Sequence, residues 1–482
     1  MMITIEQRLE RLAISPLPRI LMISHGIGGG VARHIDELTE LLHGRAHVLL
    51  LEPMTERRLL RLTLPVLDEN GAPEASATFS LAYAWPKDAE LLWQLIKWLG
   101  IGRIHIHHGQ GFAPDFWLQL QRQAIEYDLT LHDHSIFTGH ASLVNNKGVF
   151  NQQWLAEEIS SLPQGNQKLA QSLQDLALHA QRIIVPSAQL LQAVHTLLPH
   201  LAQHQCLIHR AHPDGEDAKA YPQPSFQPLL KQEPMRVLCL GMLSIEKGAG
   251  VLALVAEQAQ AVVAPLEFVL LGSCHVPLPA SVERLGSYDD RDVQALITQI
   301  NPHLIWLPAQ CPETWSYTLS VAFKAGLPVL TSDLGVFPER LKGRPLSWLC
   351  QHNSTPERWL QQLSMIRAAH LSEDTVGFWS WLPPPVFYLN TSSTQLQNAY
   401  WLATDAQLSA GLPNALQQSL KKAHSRATQG TALWRTAVLT MLALLRDSRW
   451  FLPLVRIVPY TWQQKIKRMI TREPLSERRK HR

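Results

Sequence analysis

Short apolar, β-rich runs alternate with longer amphipathic stretches from residue 19 onward, and few folds accommodate that alternation. Arg19–Ser24 reads as a buried strand, followed by a glycine loop and a helix-period stretch from Val31 to His43. Ala46–Leu51, Arg103–His107, Leu129–Asp133 and Arg182–Val185 continue the series of strands. Parallel strands need crossover connections, so strands separated by helical patterns predict a parallel sheet with helices on its faces. Residues Pro213 to Pro234 break the pattern with several prolines and no clean period. It restarts at Met235–Leu240 and runs through Phe268–Leu271, Leu304–Leu307 and Pro328–Thr331. The expected class is therefore α/β, with two Rossmann-like, doubly wound parallel-sheet domains. The expected boundaries are 1–215 for the first domain, 216–234 for a linker and 235–370 for the second domain. Residues 371–482 are expected to form a helical, basic extension. Within it, Trp379–Tyr388 is rich in aromatics and prolines, and Thr394–His424 and Thr431–Leu445 read as helical.

The bulk numbers fit that organisation. A chain of 482 residues, 46% hydrophobic and 17% charged, has room and apolar surface for two cores. A net charge of +3 argues against general polyanion binding, so no nucleic-acid partner is expected. The charge is uneven: residues 446–482 carry eleven Lys/Arg against three Asp/Glu. That basic run also holds Trp450, Phe451, Tyr460 and Trp462, a mixture that suits an anionic membrane surface or a packed terminal helix. The five cysteines have no C-x-x-C spacing, so buried free thiols are expected rather than zinc. The opening residues carry no signal-peptide pattern, and no run of 18 uncharged apolar residues occurs. A cytoplasmic protein, peripheral on the inner face of the membrane, is the expectation.

Three segments carry chemistry. Gly26-Ile27-Gly28-Gly29-Gly30 follows a strand and precedes a helix, where bare backbone N–H groups approach an anion closely; a tight turn with no ligand has the same look. Gly241-Met242-Leu243-Ser244-Ile245-Glu246-Lys247-Gly248 follows the strand opening the second half. Lys247 there reaches a phosphate or stands as an ordinary surface lysine. Glu313-Thr314-Trp315-Ser316-Tyr317-Thr318 sits between a strand and a helix, where hydroxyls and N–H groups suit a diphosphate. An ordinary helix cap with an acidic first turn is the alternative.

The chain has 22 histidines, with groups at His105, His107 and His108 and at His132 and His134 beside Asp133. Residues two apart share a strand face, so each group has the option of converging at the sheet's C-terminal edge. Metal ligation, acceptor binding by His132 or Asp133, and purely structural histidines all remain open.

Together these segments resemble glycosyltransferase family 4, and most closely its rhamnan and O-antigen polysaccharide branch. "HGIGGGVARHIDEL" is similar to that branch's N-terminal loop, with Arg33 and His34 matching and Ala32 in an acidic position. "RIIVPSA", "GMLSIEKG", "GSYDDRDVQALI" and "PHLIWLPAQCPETWSYTLSVAFKAGLPVLTSDLGVFPERL" carry the rest, over roughly residues 17–350. The resemblance implies a GT-B fold, whose two domains face a cleft. It implies that Lys247 contacts a donor diphosphate and Glu313 faces the transferred sugar. Ser316, Tyr317 and Thr318 would lie at the phosphate end of the next helix, with Gly241 nearby. Gly28, Gly29 and Gly30 would line the cleft, and His132 and Asp133 would serve acceptor binding or catalysis beside Glu313. Two positions depart from the family: Met242 stands where many members carry Arg, and Val321 replaces the second Glu of E-x7-E, which holds the ribose.

The leading expectation is a retaining transferase moving a hexose from a nucleotide-diphosphate sugar to a growing, lipid-linked glycan. No metal or other cofactor is expected, since no D-x-D motif sits in a suitable loop. Two other readings stand beside it: a non-catalytic GT-B scaffold in a glycan assembly complex, motivated by Val321 and Met242, and a nucleotide-sugar epimerase.

Overall fold

The structure is a computed structural model that describes residues 3–54, 58–144, 150, 164–203, 207–210, 221–274, 276–372 and 411–428. The expectations for 213–220, for Trp379–Tyr388, for Thr431–Leu445 and for the basic run 446–482 fall outside those residues.

Two sheets organise the chain. The first contains β1 (Arg19–Ile23), β2 (His47–Pro53), β3 (Leu59–Leu67), β4 (Pro73–Ala84), β5 (Ile101–Ile106), β6 (Tyr127–Thr130), β7 (Arg182–Val185) and β8 (Leu207–Arg210). Their order is β4-β3-β2-β1-β5-β6-β7-β8. β2, β1, β5 and β6 pair in parallel, whereas β3 and β4 are antiparallel. The first sheet is thus mixed, where an all-parallel sheet is the sequence expectation. A tight antiparallel connection needs no crossover helix, so 59–84 lacks the strand–helix alternation that marks the other strands. The second sheet contains β9 (Met235–Leu243), β10 (Leu266–Cys274), β11 (Val282–Gly286), β12 (Leu304–Leu307), β13 (Val329–Ser332) and β14 (Ser347–Cys350). Its order is β11-β10-β9-β12-β13-β14, and every pair is parallel. Counted within that sheet this is the 3-2-1-4-5-6 order of a doubly wound nucleotide-binding domain, with its switch point between β9 and β12.

The helices up to the second sheet are α1 (Ile5–Ile14), α2 (Gly30–Leu41), α3 (Ala89–Trp98), α4 (Pro114–Arg122), α5 (Ser135–Thr138), α6 (Gln164–His179), α7 (Ala188–Leu197) and α8 (Pro199–Gln203). The later ones are α9 (Ala249–Ala261), α10 (Val293–Ile300), α11 (Tyr317–Lys324), α12 (Phe337–Leu341), α13 (Pro356–Ser372) and α14 (Asn414–Thr428). No helix among the described residues is long and apolar enough to cross a membrane. Contacts divide the described chain into two compact units. One holds residues up to 130, 179–183 and 411–428; the other holds 131–178 and 184–372.

Strand alternation builds the second sheet's core. Val237 and Cys239 on β9 join Leu252, Val255, Trp359 and Leu363 in one apolar cluster. Leu238 and Leu240 join Val293, Ile297, Leu319 and Phe337 in another. Period-2 side chains therefore bury both faces of β9 under helices, as a doubly wound sheet requires.

In the first unit, Arg19 is fully buried and its Nη1 donates to the carbonyls of Leu12 at 2.8 Å and Ser15 at 3.1 Å, closing the end of α1. α14 buries Leu416, Leu420 and Ala423 at helical spacing, and its Arg426 pairs with Asp88.

Three buried histidines set an acid response. His47 lies 2.7 Å from the Ser15 hydroxyl and His105 lies 2.6 Å from the Thr130 hydroxyl. Burial lowers the pKa of His47, His105 and His134 to about 4 each, from an ordinary 6.5. The unfolded chain therefore binds more protons than the folded one between those values. Stability from these groups is full above about pH 6.5 and is lost as the pH falls toward about 4. Urea unfolding across that range is expected to show a steadily falling midpoint; a flat profile would show that these rings protonate in the folded state.

Candidate functional site

The switch point between β9 and β12 holds a depression lined by Gly241, Met242, Lys247, Pro308, Glu313 and Thr318, with about 340 Å³ of space including open solvent. Ligands of open α/β sheets bind at this place, outside the carboxyl ends of the strands where the order reverses.

Local structure delivers each side chain. After β9 a turn forms, with Lys247 N–H bonded to the Ser244 carbonyl at 3.1 Å and Gly248 N–H to the Ile245 carbonyl at 3.0 Å. Gly248 stands at φ 87, and a Cβ there would lie 2.0 Å from the Pro308 carbonyl oxygen, so only glycine lets this turn lie against the loop after β12. Gln310 N–H then donates to the Glu246 carbonyl at 2.7 Å and pins the two loops together. Lys247 Nζ consequently lies 3.5 Å from Glu313 Oε1. The negative Glu313 raises the Lys247 pKa, so the ammonium stays charged. The Lys247 side chain is 50% exposed and that of Glu313 15%. A pair with one half-exposed partner contributes about 0–1 kcal/mol, so breaking it costs little. Burial pushes the neighbouring Cys311 thiol up to about 12, which leaves it unreactive.

The Glu313 loop rests on the segment after β13. Val336 N–H donates to the Glu313 carbonyl at 2.9 Å, and a Cβ on Gly335, at φ 58, would come within 2.4 Å of that same oxygen. Ser316 precedes α11 at φ 70, a left-handed conformation that costs a non-glycine residue about 1–2 kcal/mol. Its hydroxyl lies 3.1 Å from that of Thr318. No side chain caps α11, and within its first turn the Leu319 N–H donates to the Ser316 carbonyl at 3.2 Å.

The structure brings Gly241, Lys247, Glu313 and Thr318 to one pocket; Ser316 and Tyr317 form the start of α11 beside it. His132 and Asp133 lie past the end of β6, which stops at Thr130 and not at Asp133. His132 and His134 therefore do not share a strand face. Asp133 Oδ1 accepts from the Ser135 N–H at 2.9 Å and hydroxyl at 2.6 Å, turning the chain into α5. That bonding ends the strand early. His132 nevertheless approaches the site through its backbone, since the Thr314 hydroxyl donates to its carbonyl at 2.6 Å. Gly28, Gly29 and Gly30 belong to the first unit, where Gly29 begins α2 without a capping side chain. Two partners of the site went unread in the sequence: Thr314, and Arg340 on α12, whose Nη1 donates to the carbonyls of Trp315 and Ser316.

Val321 is 5% exposed and packs within the cluster of Leu238, Leu240, Leu307 and Leu319, outside the pocket lining. Val321→Glu is expected to lower stability by about 2 kcal/mol or more, the cost of placing a polar group in an apolar site. Thermal denaturation reads this directly, and an unchanged melting point would mean that residue 321 reaches water.

No protein-family model matches the chain, and no curated protein matches it. Solved structures do. A sucrose-phosphate synthase from Thermosynechococcus elongatus superposes with a TM-score of 0.50 at 15% identity, over 75% of this chain and 92% of that one. HepE from Anabaena, solved with UDP and glucose, gives a TM-score of 0.49 at 14% identity, over 79% of this chain and 97% of that one. With two α/β domains and the first of these likenesses, the chain has a GT-B fold.

Proposed function

We propose that this protein is a glycosyltransferase that moves a hexose from a nucleoside diphosphate sugar to a growing glycan. The observation that carries this reading is the Lys247–Glu313 pair at 3.5 Å, set at the switch point of a doubly wound sheet beside the start of α11. The GT-B fold shared with a sucrose-phosphate synthase accords with it. In the reaction, the bond from the sugar's anomeric carbon to the leaving phosphate oxygen breaks, and a bond to an acceptor hydroxyl forms. The acceptor's proton passes to the released diphosphate. Lys247 and the N–H groups opening α11 would neutralise the diphosphate as its charge develops. Glu313, released from Lys247 by the incoming phosphate, would accept hydrogen bonds from sugar hydroxyls. The family 4 resemblance further suggests retention of anomeric configuration and a substrate of the polysaccharide or O-antigen type. The basic run 446–482 suits a lipid-linked acceptor at an anionic membrane surface.

A non-catalytic GT-B scaffold is the second reading, favoured by one observation: the buried Val321 offers a ribose no hydrogen-bonding group. Product analysis by mass spectrometry, with UDP-, GDP-, dTDP- and ADP-sugars and a glycan acceptor, separates the readings. Hexose found on the acceptor supports transfer. Donor left intact with every sugar would favour the scaffold, and an epimerised free sugar with released nucleotide, needing no acceptor, would indicate an epimerase.

A further inference from the structure

We infer that Arg340 is a positioning residue that sets the orientation of the peptide groups meeting the donor diphosphate; this rests on the nucleotide-sugar reading of the pocket. Arg340 Nη1 donates to the Trp315 and Ser316 carbonyls at 2.9 Å each, and Nη2 donates to the Ser320 hydroxyl at 2.9 Å. The guanidinium lies over the Trp315 ring at 4.1 Å and over Phe323 at 5.2 Å. One planar fork thus bridges the residues before α11 and the first turn of α11 itself.

The consequence follows from peptide geometry. In a planar trans peptide the C=O and the next N–H point in opposite directions. Drawing the Trp315 and Ser316 oxygens toward α12 turns the N–H groups of Ser316 and Tyr317 away from α12. Those are the groups at the phosphate end of the helix, and the next residue, Thr318, lines the pocket. The left-handed Ser316, at φ 70, is the joint at which this orientation would otherwise slip. A cation near a helix N-terminus opposes the helix dipole. Its presence here makes sense through what it holds and not through the helix. Lysine cannot substitute, because an ammonium has no rigid fork and no flat face to lay on Trp315.

Arg344 supplies a comparison. It too is buried, donating to the Ser347 hydroxyl at 2.9 Å and the Leu327 carbonyl at 2.8 Å, and it lies over Phe323 at 4.7 Å. Those hydrogen-bond partners lie after α11, whereas the partners of Arg340 lie just before it and in its first turn.

The test is calorimetric titration with the nucleoside diphosphate the wild type prefers and with the matching nucleoside monophosphate. Arg340→Gln is expected to weaken the diphosphate about tenfold or more, the scale of one charge-assisted hydrogen bond, and to narrow the gap between the two ligands. Arg340→Lys is expected to narrow it too. Arg344→Gln is expected to lower the melting temperature and leave the gap intact. Should Arg340→Gln not fold, Arg340→Lys carries the test. A full gap in Arg340→Gln would reduce Arg340 to a structural residue, and full recovery in Arg340→Lys would mean that charge alone matters. A wild type that binds neither nucleotide would defeat the nucleotide-sugar reading and this inference with it.

Discussion

Glu313→Gln and Lys247→Ala are expected to part company: both abolish hexose transfer, but only Lys247→Ala loses nucleoside diphosphate binding. The reason lies in the pair itself. Glu313 sits 3.5 Å from Lys247 and competes with any phosphate for the ammonium. Removing the carboxylate's charge leaves Lys247 wholly available, so diphosphate affinity is held or tightened in Glu313→Gln. The sugar then meets an amide with one neutral acceptor oxygen in place of two charged ones, and the reacting carbon would no longer be held in position. Removing Lys247 instead deletes the one cation that lines the pocket among the described residues and forfeits a charge-assisted contact worth about 1.5–3 kcal/mol, or roughly 10- to 150-fold in affinity. Titration and transfer assays on the two variants check both halves. Wild-type transfer in either variant would show that the chemistry lies elsewhere.

Asp128→Ala is expected to be the most damaging change to the first sheet. Asp128 is 2% exposed and accepts from two guanidinium groups, Arg103 Nη2 at 2.5 Å and Arg182 Nη2 at 2.8 Å. Both arginine side chains are about as buried as the carboxylate, at 5% and 4% exposure. Burial alone would raise the Asp128 pKa, but Arg182, His105 and Arg103 together outweigh it and hold the carboxyl below its usual range. Deleting it removes the buried counter-charge that Arg182 and Arg103 share and leaves Arg103 with Glu126, whose side chain is 62% exposed. Breaking a buried pair in this way costs about 3–5 kcal/mol, far more than the net worth of the intact pair. Arg182→Met should cost less, since Asp128 keeps Arg103. The depressed pKa adds a second acid-sensitive term: its stability is present above the ordinary carboxylate pKa and is lost as the pH falls through the lowered one. Chemical denaturation of both variants tests this, and a loss below about 1 kcal/mol in Asp128→Ala would mean that water solvates the arginines.

Much of the architecture was legible in the sequence for a plain reason. Buried parallel strands are short apolar runs with clear ends, and Arg182–Val185 and Leu304–Leu307 fall on β7 and β12 to the residue. β11 escaped notice because only Val282 among its five residues is buried, so no apolar run marks it. The strand expected to reach Asp133 stops at Thr130 because the Asp133 side chain bonds Ser135 and starts a helix, a local competition that hydropathy does not register. In the site, Lys247 and Glu313 each stood out as motifs after strands, and the resemblance gave both to one donor. Their contact depends on Gly248 lying against Pro308, which no spacing reveals. Arg340 left no signal either. Its partners are mostly backbone carbonyls, and every residue has one. Thr314 meets His132 across 182 positions of sequence, through a backbone oxygen again.

The most direct test of the pocket at the β9–β12 switch point is calorimetric titration of the wild-type protein with UDP, GDP, dTDP and ADP, repeated on Lys247→Ala. Selective binding of one diphosphate, lost in the variant, is the expected result and names the base. Silence across the panel, or binding untouched by the loss of Lys247, would contradict a donor site there.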